Sequence, residues 1–211
     1  MPSSATSDII RPPAPPCEGG YGGGGGPDGR GAHRRASMTG LMVLLAATTM
    51  AFAAFTSAFV VRRGISNDWE ALPVPRICWV NTGILLTSSL LLEVARRSLK
   101  RGRRSGFNLY WTAGTGLGVL FLAGQALAWR QLYASGIFVA TNPSSSFFYL
   151  LTAAHGLHIL GGLTALLYVD VQALRLQLGP SKRTVVDVSV VFWHFVDGLW
   201  LFLMLLFLVW G

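Results

Sequence analysis

The sequence predicts an all-α membrane protein, a bundle of five transmembrane helices, and three observations support this fold class. Hydrophobic residues make up 52% of the 211 residues, charged residues only 12%, and the mean hydropathy is +0.49. Five apolar runs of about 19 to 26 residues would each form a helix of about 28 to 39 Å, enough to cross a hydrocarbon core. The connections between the runs are short and contain Pro, Gly and charged residues, which are typical of turns.

The five runs also define the domain organisation. Residues 1–37 contain PPAPP, GGYGGGGG and few large apolar side chains, so we expect a disordered Gly/Pro-rich cytoplasmic tail. This tail lacks the apolar stretch of a secretory signal, and no cleavage is expected. Residues 38–211 form the predicted membrane domain. Its helices are predicted at residues 39–61, 77–95, 108–129, 147–169 and 185–210.

The distribution of basic residues predicts the orientation. Thirteen of the 17 Lys and Arg residues lie in the tail, the second connection and the fourth connection. The remaining four, Arg62, Arg63, Arg76 and Arg130, lie in the first and third connections, on the opposite side. Because Lys and Arg are enriched on the cytoplasmic side, we expect the N-terminus in the cytoplasm and the C-terminus on the opposite side. The protein would be a multi-pass membrane protein.

The net charge of +8 raises the possibility of a nucleic-acid partner, but the basic residues lie beside apolar runs without an aromatic-rich basic face. Phospholipid headgroups are the better match, and no nucleic-acid partner is predicted. Arg62 and Arg63, just after the first run, are possible headgroup contacts, although ordinary interfacial snorkelling explains them as well. Cys17 and Cys78 have no spacing typical of a disulfide framework or a zinc site.

The fourth run contains a polar and small stripe. Thr152, His155, His158 and Gly161 recur every three residues, so they wind slowly around the helix and predict a side that faces protein. Small residues in membrane helices let another backbone approach closely. The glycines that support this interpretation are Gly156, Gly161 and Gly162. We therefore expect Leu at Gly156 or Gly161 to disrupt assembly.

The fifth run contains a second polar group. His194 and Asp197 are three residues apart, share one face and are flanked by Trp193 and Trp200. The fourth and fifth helices run in opposite directions, so this pair lies at a depth similar to the histidines of the fourth run. A hypothesis follows in which Asp197 accepts a hydrogen bond from one of those histidines, His155 or His158.

Three interpretations of these intramembrane polar residues remain. Haem or metal ligation is possible, but bis-histidine sites use two helices at matched depths, whereas HxxH lies on one helix. A proton pathway needs a chain of carboxylates, and Asp197 is the one acid near the middle. A structural polar network is favoured, with no metal or cofactor in this chain. Asn81, Thr82 and Gln125 are interpreted in the same way, as interhelical hydrogen-bonding residues.

Catalytic machinery is not evident in the sequence, which has no nucleophile and base pair, Walker loop or carboxylate dyad. The GTGLG stretch at residues 114–118 lies inside an apolar run, where it predicts close helix packing rather than phosphate binding. Whether the chain is part of an enzyme is left open by these residues.

The motifs resemble those of one family. TAAHGLHILGG at residues 152–162 resembles the TGxHGxHxxxG signature, and FWHFVDGLWLFL at residues 192–203 resembles the YWHFVDxxWLFL signature, of subunit III of the haem-copper oxidases. Three weaker stretches, NTGILLTSS, FLAGQALAW and TNPSSSFFYLLT, follow the same family in the right order. The resemblance covers residues 38–211 and matches the five-helix bacterial type.

This resemblance implies a non-catalytic subunit of a respiratory terminal oxidase. It implies binding beside subunit I, with subunit II and other respiratory subunits as further partners, and haem and copper in those partners only. Family members steady subunit I and bind lipid during aerobic electron transport coupled to proton pumping. A quinol oxidase subunit and a nitric oxide reductase accessory protein share the motifs, and a membrane haem protein with histidine ligands is the alternative from another class.

Three departures from the family pattern concern acidic residues. The SExxxF glutamate is replaced within LLAATTMAF, where Ala47 and Thr48 stand, and the QxxEW glutamate is replaced by Ala128. Asp187 stands where HxxExxxxY has its acid. Neither Thr48 nor Ala128 can act as a carboxylate, so the resemblance does not carry the role of these two glutamates over to this chain.

Overall fold

The computed structural model describes residues 27–65, 76–139, 142–175 and 183–210, and the side chains of residues 35–209 within these ranges. These residues form five α-helices, each of which contains a segment long and apolar enough to cross a membrane, as predicted. The helices are α1 Pro27–Ile65, α2 Arg76–Lys100, α3 Arg104–Ala134, α4 Pro143–Leu174 and α5 Arg183–Trp210.

The helices are longer than the apolar runs. At the start of α4, Pro143 occupies the first turn and the Asn142 N–H donates to Ser145 Oγ at 3.2 Å, so the helix begins among polar residues. Extending a formed helix costs little compared with nucleating one. The same reason accounts for α1, which begins at Pro27, inside the predicted tail of residues 1–37. The other tail residues, 1–26, lie outside the described residues.

Helices α2, α3, α4 and α5 form the centre of the bundle. α2 and α3 pack together most extensively, and α5 contacts both α4 and α2. Glycines on α3 leave room for side chains of its neighbours. A Cβ at Gly114 would lie 2.8 Å from Leu92 Cγ of α2, and a Cβ at Gly118 would lie 2.7 Å from the Trp193 ring of α5. The close packing predicted from the GTGLG stretch is therefore confirmed at Gly114 and Gly118, while Gly116 faces open space.

Helix α1 packs on the outside of this group. The short connection predicts that α1 lies alongside α2, and this is wrong, because the main contacts of α1 are with α5 and α4. Aromatic contacts explain why α1 packs on α4 and α5: the Phe59 ring meets the Phe147 ring edge-on with centroids 5.7 Å apart, and the Phe207 ring at 6.4 Å. Edge-to-face pairs of this kind stabilise helix contacts beyond their buried area.

The largest buried side chains lie where α2, α3, α4 and α5 meet. Trp111, Trp193 and Trp200 are almost fully buried there, and Trp111 Nε1 donates to the Leu166 carbonyl at 3.1 Å. A second apolar cluster joins α1 to α4 and α5. The central cluster surrounds most of the polar residues singled out in the sequence.

Candidate functional site

His155 lies at the centre of the bundle and is 1% exposed. Its ring stacks on the Trp200 ring with centroids 5.1 Å apart, and the Phe121 ring meets it edge-on at 6.1 Å. Neither ring nitrogen has a hydrogen-bond partner among the described residues. Among the described residues, aromatic packing and not hydrogen bonding therefore holds the imidazole in place.

Polar side chains singled out in the sequence also come from the other three central helices. They are Asn81 and Thr82 of α2, Gln125 of α3 and Trp200 of α5. Trp200 Nε1 donates to Thr82 Oγ1 at 3.0 Å, and Thr82 Oγ1 donates to the Cys78 carbonyl at 2.8 Å. The Asn81 side chain fills the space above Gly124, where a Cβ would come within 2.8 Å of Asn81 Cγ. Gln125 is buried, and neither of its amide atoms is hydrogen-bonded within the described residues.

Thr152 lies one turn before His155 and is fully buried. It donates to the Phe148 carbonyl at 2.6 Å and accepts a hydrogen bond from Trp129 Nε1 at 3.2 Å. This motif threonine therefore joins α4 to α3. The prediction that it faces protein is confirmed.

His158 points to another part of the bundle. Its Nδ1 lies 2.8 Å from the Ala154 carbonyl, and its ring meets Phe52 of α1 edge-on at 5.6 Å. Three residues along a helix rotate a side chain by about 300°, leaving the two rings about 60° apart. That angle is enough to direct His155 toward α3 and α5 and His158 toward α1.

Asp197 is 4% exposed, and neither carboxylate oxygen has a hydrogen-bond partner among the described residues. Ser89 of α2 lies next to it, so the carboxylate faces α2. The hypothesis that Asp197 accepts a hydrogen bond from His155 or His158 is therefore wrong. The neighbouring Trp193 packs against Gly118 and Gly162, and its Nε1 also lacks a partner among these residues.

The glycines of α4 divide between two surfaces. A Cβ at Gly162 would lie 3.1 Å from Phe192, whereas a Cβ at Gly156 or Gly161 would meet nothing within 4 Å. The prediction that Gly156 and Gly161 permit close approach is wrong for contacts among the described residues. A stripe with a spacing of three drifts around the helix, and by Gly161 it has left the interface with α5.

A charged cluster at the junction of α2 and α5 was not recognised from the sequence. Arg96 Nε donates to Asp187 Oδ1 at 2.7 Å, Arg97 Nε donates to Glu93 Oε1 at 2.9 Å, and His194 Nε2 lies 3.8 Å from Glu93 Oε2. His194 Nδ1 also shares a hydrogen bond with the Ser89 hydroxyl. The available signal was the spacing of Glu93, Arg96 and Arg97, together with the antiparallel course of the two helices.

The two positions where this chain lacks a family acid are buried. Thr48 is 3% exposed and Ala128 is fully buried. Asp187, in contrast, keeps a charge partner in Arg96. Arg62 and Arg63, the possible headgroup contacts, lie in the last turn of α1.

Metal-ligating side chains do not converge in the described ranges: no group of three or more His, Cys, Asp or Glu residues there could hold an ion. His155 and His158 point apart, and His194 lies beside Glu93 on another face. The interior of the described bundle thus combines five membrane-length helices with polar residues used for packing. This combination defines a multi-pass helical membrane protein whose polar residues join helices.

Comparison with known proteins gives the family. The family described as cytochrome c oxidase subunit III matches residues 30–211, and the chain belongs to this family. It is therefore a subunit III of a terminal oxidase of the respiratory chain, as its motifs indicated. In this family, subunit III is a non-catalytic component of the oxidase.

Three relatives illustrate the similarity. Cytochrome c oxidase subunit 3 of Synechocystis sp. is 29% identical over 185 residues, 84% of this chain and 77% of the relative. Cytochrome c oxidase subunit 3 of Thermostichus vulcanus is 29% identical over 178 residues, 81% of this chain and 86% of the relative. A probable cytochrome c oxidase subunit 3 of Mycobacterium bovis is 30% identical over 173 residues, 77% of this chain and 82% of the relative.

Proposed function

We propose that this chain stabilises its oxidase by packing against subunit I, with subunit II and other respiratory subunits completing the complex. The complex would reduce oxygen with electrons from cytochrome c in a bacterial inner membrane, and its haem and copper would reside in the partner subunits. The names of the relatives support cytochrome c as the donor. Phospholipids would contact the remaining surface, with Arg62 and Arg63 near the headgroups.

The exposure of His194 is the observation that carries this proposal. Its side chain is 39% exposed, although it lies about 4 Å from the midpoint of α5 along the helix axis. An imidazole facing hydrocarbon at this depth is unfavourable, and polar residues in membrane helices almost always face protein or a polar cavity.

The surroundings of His194 complete a surface suited to a neighbouring helix. Gly198, one turn along α5, faces open space, so a second backbone could approach there. Glu93 lies on the adjacent edge of α2, with its Oε2 3.8 Å from His194 Nε2. A partner helix with one hydrogen-bonding side chain would cover this polar group and remove it from lipid.

Affinity purification of the full-length chain from its native membrane tests the proposal. We expect a larger subunit with haem and copper to be recovered with the wild-type chain, seen as a Soret band and bound copper. His194→Phe should reduce this recovery about tenfold, the effect of losing one interhelical polar contact of 1 to 2 kcal/mol. His194→Gln keeps a hydrogen-bonding side chain and serves as the matched control.

Three results would contradict the proposal. Recovery of the wild-type chain from its native membrane without any partner subunit would remove the role as an assembled subunit. Wild-type recovery of the complex with His194→Phe would show that subunit I packs elsewhere. A Soret band from the isolated chain would support instead a haem protein with its own histidine ligands.

A further inference from the structure

A pocket of about 310 Å³ opens where α2 ends and α5 begins. Its charged lining consists of Arg96, Lys100, Arg183 and Asp187, and Leu99 and Val186 form apolar walls; we call this site the basic pocket. Lys100 is the last residue of α2 and Arg183 is the first residue of α5. The antiparallel packing of the two helices brings these ends together.

The basic pocket has an excess of positive charge. Asp187 is its one carboxylate, and Arg96 Nε already donates to Asp187 Oδ1 at 2.7 Å. Lys100 and Arg183 have no carboxylate partner among the described residues. Two cations in one pocket therefore remain available to an anion.

The adjoining connections cannot supply the missing negative charge. Residues 101–103 read RGR and residues 176–182 read LQLGPSK, so both add cations and neither contains Asp or Glu. Two like charges held at a shared concave surface repel each other, and a bound anion offsets that repulsion.

The position of the basic pocket along the helix selects the anion. The apolar part of α2 ends near Ala95, so Lys100 lies about 7 Å beyond it, at the level of lipid headgroups. Basic pockets between membrane helices at this level bind phosphate-containing headgroups. The apolar walls, Leu99 and Val186, suit the first carbons of acyl chains and favour a lipid over free phosphate.

We propose that the basic pocket binds one anionic phospholipid, with Lys100 and Arg183 holding its phosphate. Arg96 is fixed by Asp187 and closes the pocket floor. The lipid would join the ends of α2 and α5, which approach each other through this ion pair. The inference requires only that the chain spans a membrane, so it stands or falls independently of the partner subunits.

Native mass spectrometry of the purified full-length protein, titrated with phosphatidylglycerol and with phosphatidylcholine, tests the proposal. We expect one phosphatidylglycerol to bind and Lys100→Gln with Arg183→Gln to weaken it about thirtyfold, from the attraction of two basic side chains for a headgroup. Arg101→Gln with Arg104→Gln, the same charge change outside the pocket, should bind as wild type does. Asp187→Asn removes the one carboxylate and should strengthen binding.

Several outcomes would overturn the inference. They are equal affinity for phosphatidylcholine, wild-type binding by the Lys100 and Arg183 double variant, and displacement of the lipid by millimolar inorganic phosphate. Lipid binding that occurs only after residues 1–26 are deleted would also overturn it. In that case the carboxylates of Asp8 and Glu18 in this segment, and not a lipid, would occupy the basic pocket. Circular dichroism of each variant verifies that the helices are intact.

Discussion

Some of the buried polar side chains, unlike Thr152, are held by shape and not by hydrogen bonds among the described residues. His155 has lost contact with solvent, yet its two ring nitrogens have no partner among the described residues, while Trp200 stacks on its face. Gln125 and Asp197 are buried in the same way. The sequence predicted that these residues face protein, but it paired Asp197 with His155 or His158 because it could place their depth and not their direction.

Replacement of His155 tests whether the flat ring or its nitrogen atoms stabilise the fold. His155→Phe keeps a flat ring against Trp200 and removes two unpaired nitrogens, so we expect the stability to stay equal or to rise. His155→Ala leaves a cavity and should lower the free energy of unfolding by about 3 kcal/mol. Chemical unfolding in detergent micelles measures both variants. A loss of stability with Phe as large as that with Ala would show that an imidazole nitrogen is required.

At the scale of the helices, glycines decide which surfaces meet. α3 approaches α2 because Gly124 leaves room for the Asn81 side chain, and the Trp193 ring of α5 reaches α3 because Gly118 leaves room for it. On α4, Gly162 has this role, whereas a Cβ at Gly156 or Gly161 would meet none of the described residues within 4 Å. Hydropathy alone could not separate the glycines that contact another helix from those that do not, because all of them lie in apolar stretches of the sequence.

A matched pair of alanine substitutions tests this division. Gly124→Ala places a methyl group against Asn81 and should destabilise the bundle by about 1 to 3 kcal/mol, as overpacking does. Gly161→Ala should leave the isolated chain as stable as wild type, since nothing lies within 4 Å. Thermal unfolding in micelles distinguishes them, and equal stability of the two variants would contradict the packing at Gly124.

Gly156→Leu and Gly161→Leu concern assembly with other subunits and not the fold of the isolated chain. The sequence predicts that they disrupt assembly, and this stays a prediction about the surface that these glycines share. Recovery of partner subunits by each variant measures it. Normal recovery with both variants would show that this surface faces lipid.

The whole molecule combines a four-helix centre with an outer helix, α1, that packs on α5 and α4. Five membrane crossings would place the two termini on opposite sides. The basic residues predict that the N-terminus is cytoplasmic, because Lys and Arg are enriched in cytoplasmic connections. The same residues surround the basic pocket, so the proposed lipid would belong to the cytoplasmic leaflet.

Reporter fusions test this orientation. We expect a fluorescent protein joined to the N-terminus to fold in the cytoplasm, and a phosphatase that is active only outside the cytoplasm to work at the C-terminus. The excess of Lys and Arg in the tail and in the second and fourth connections is the physical reason. The reverse result, or both termini on one side, would contradict the predicted topology.

The sequence by itself determined the number of helices, because each crossing needs about 20 apolar residues whose backbone hydrogen bonds are satisfied internally. Its motifs also pointed to the family that the comparison then gave. The tertiary structure alone decided that α1 lies on α5, that His155 stacks on Trp200 and that Arg96 meets Asp187. Lipid is as apolar as the side chains that face it, so hydropathy identifies a membrane helix but not its neighbours.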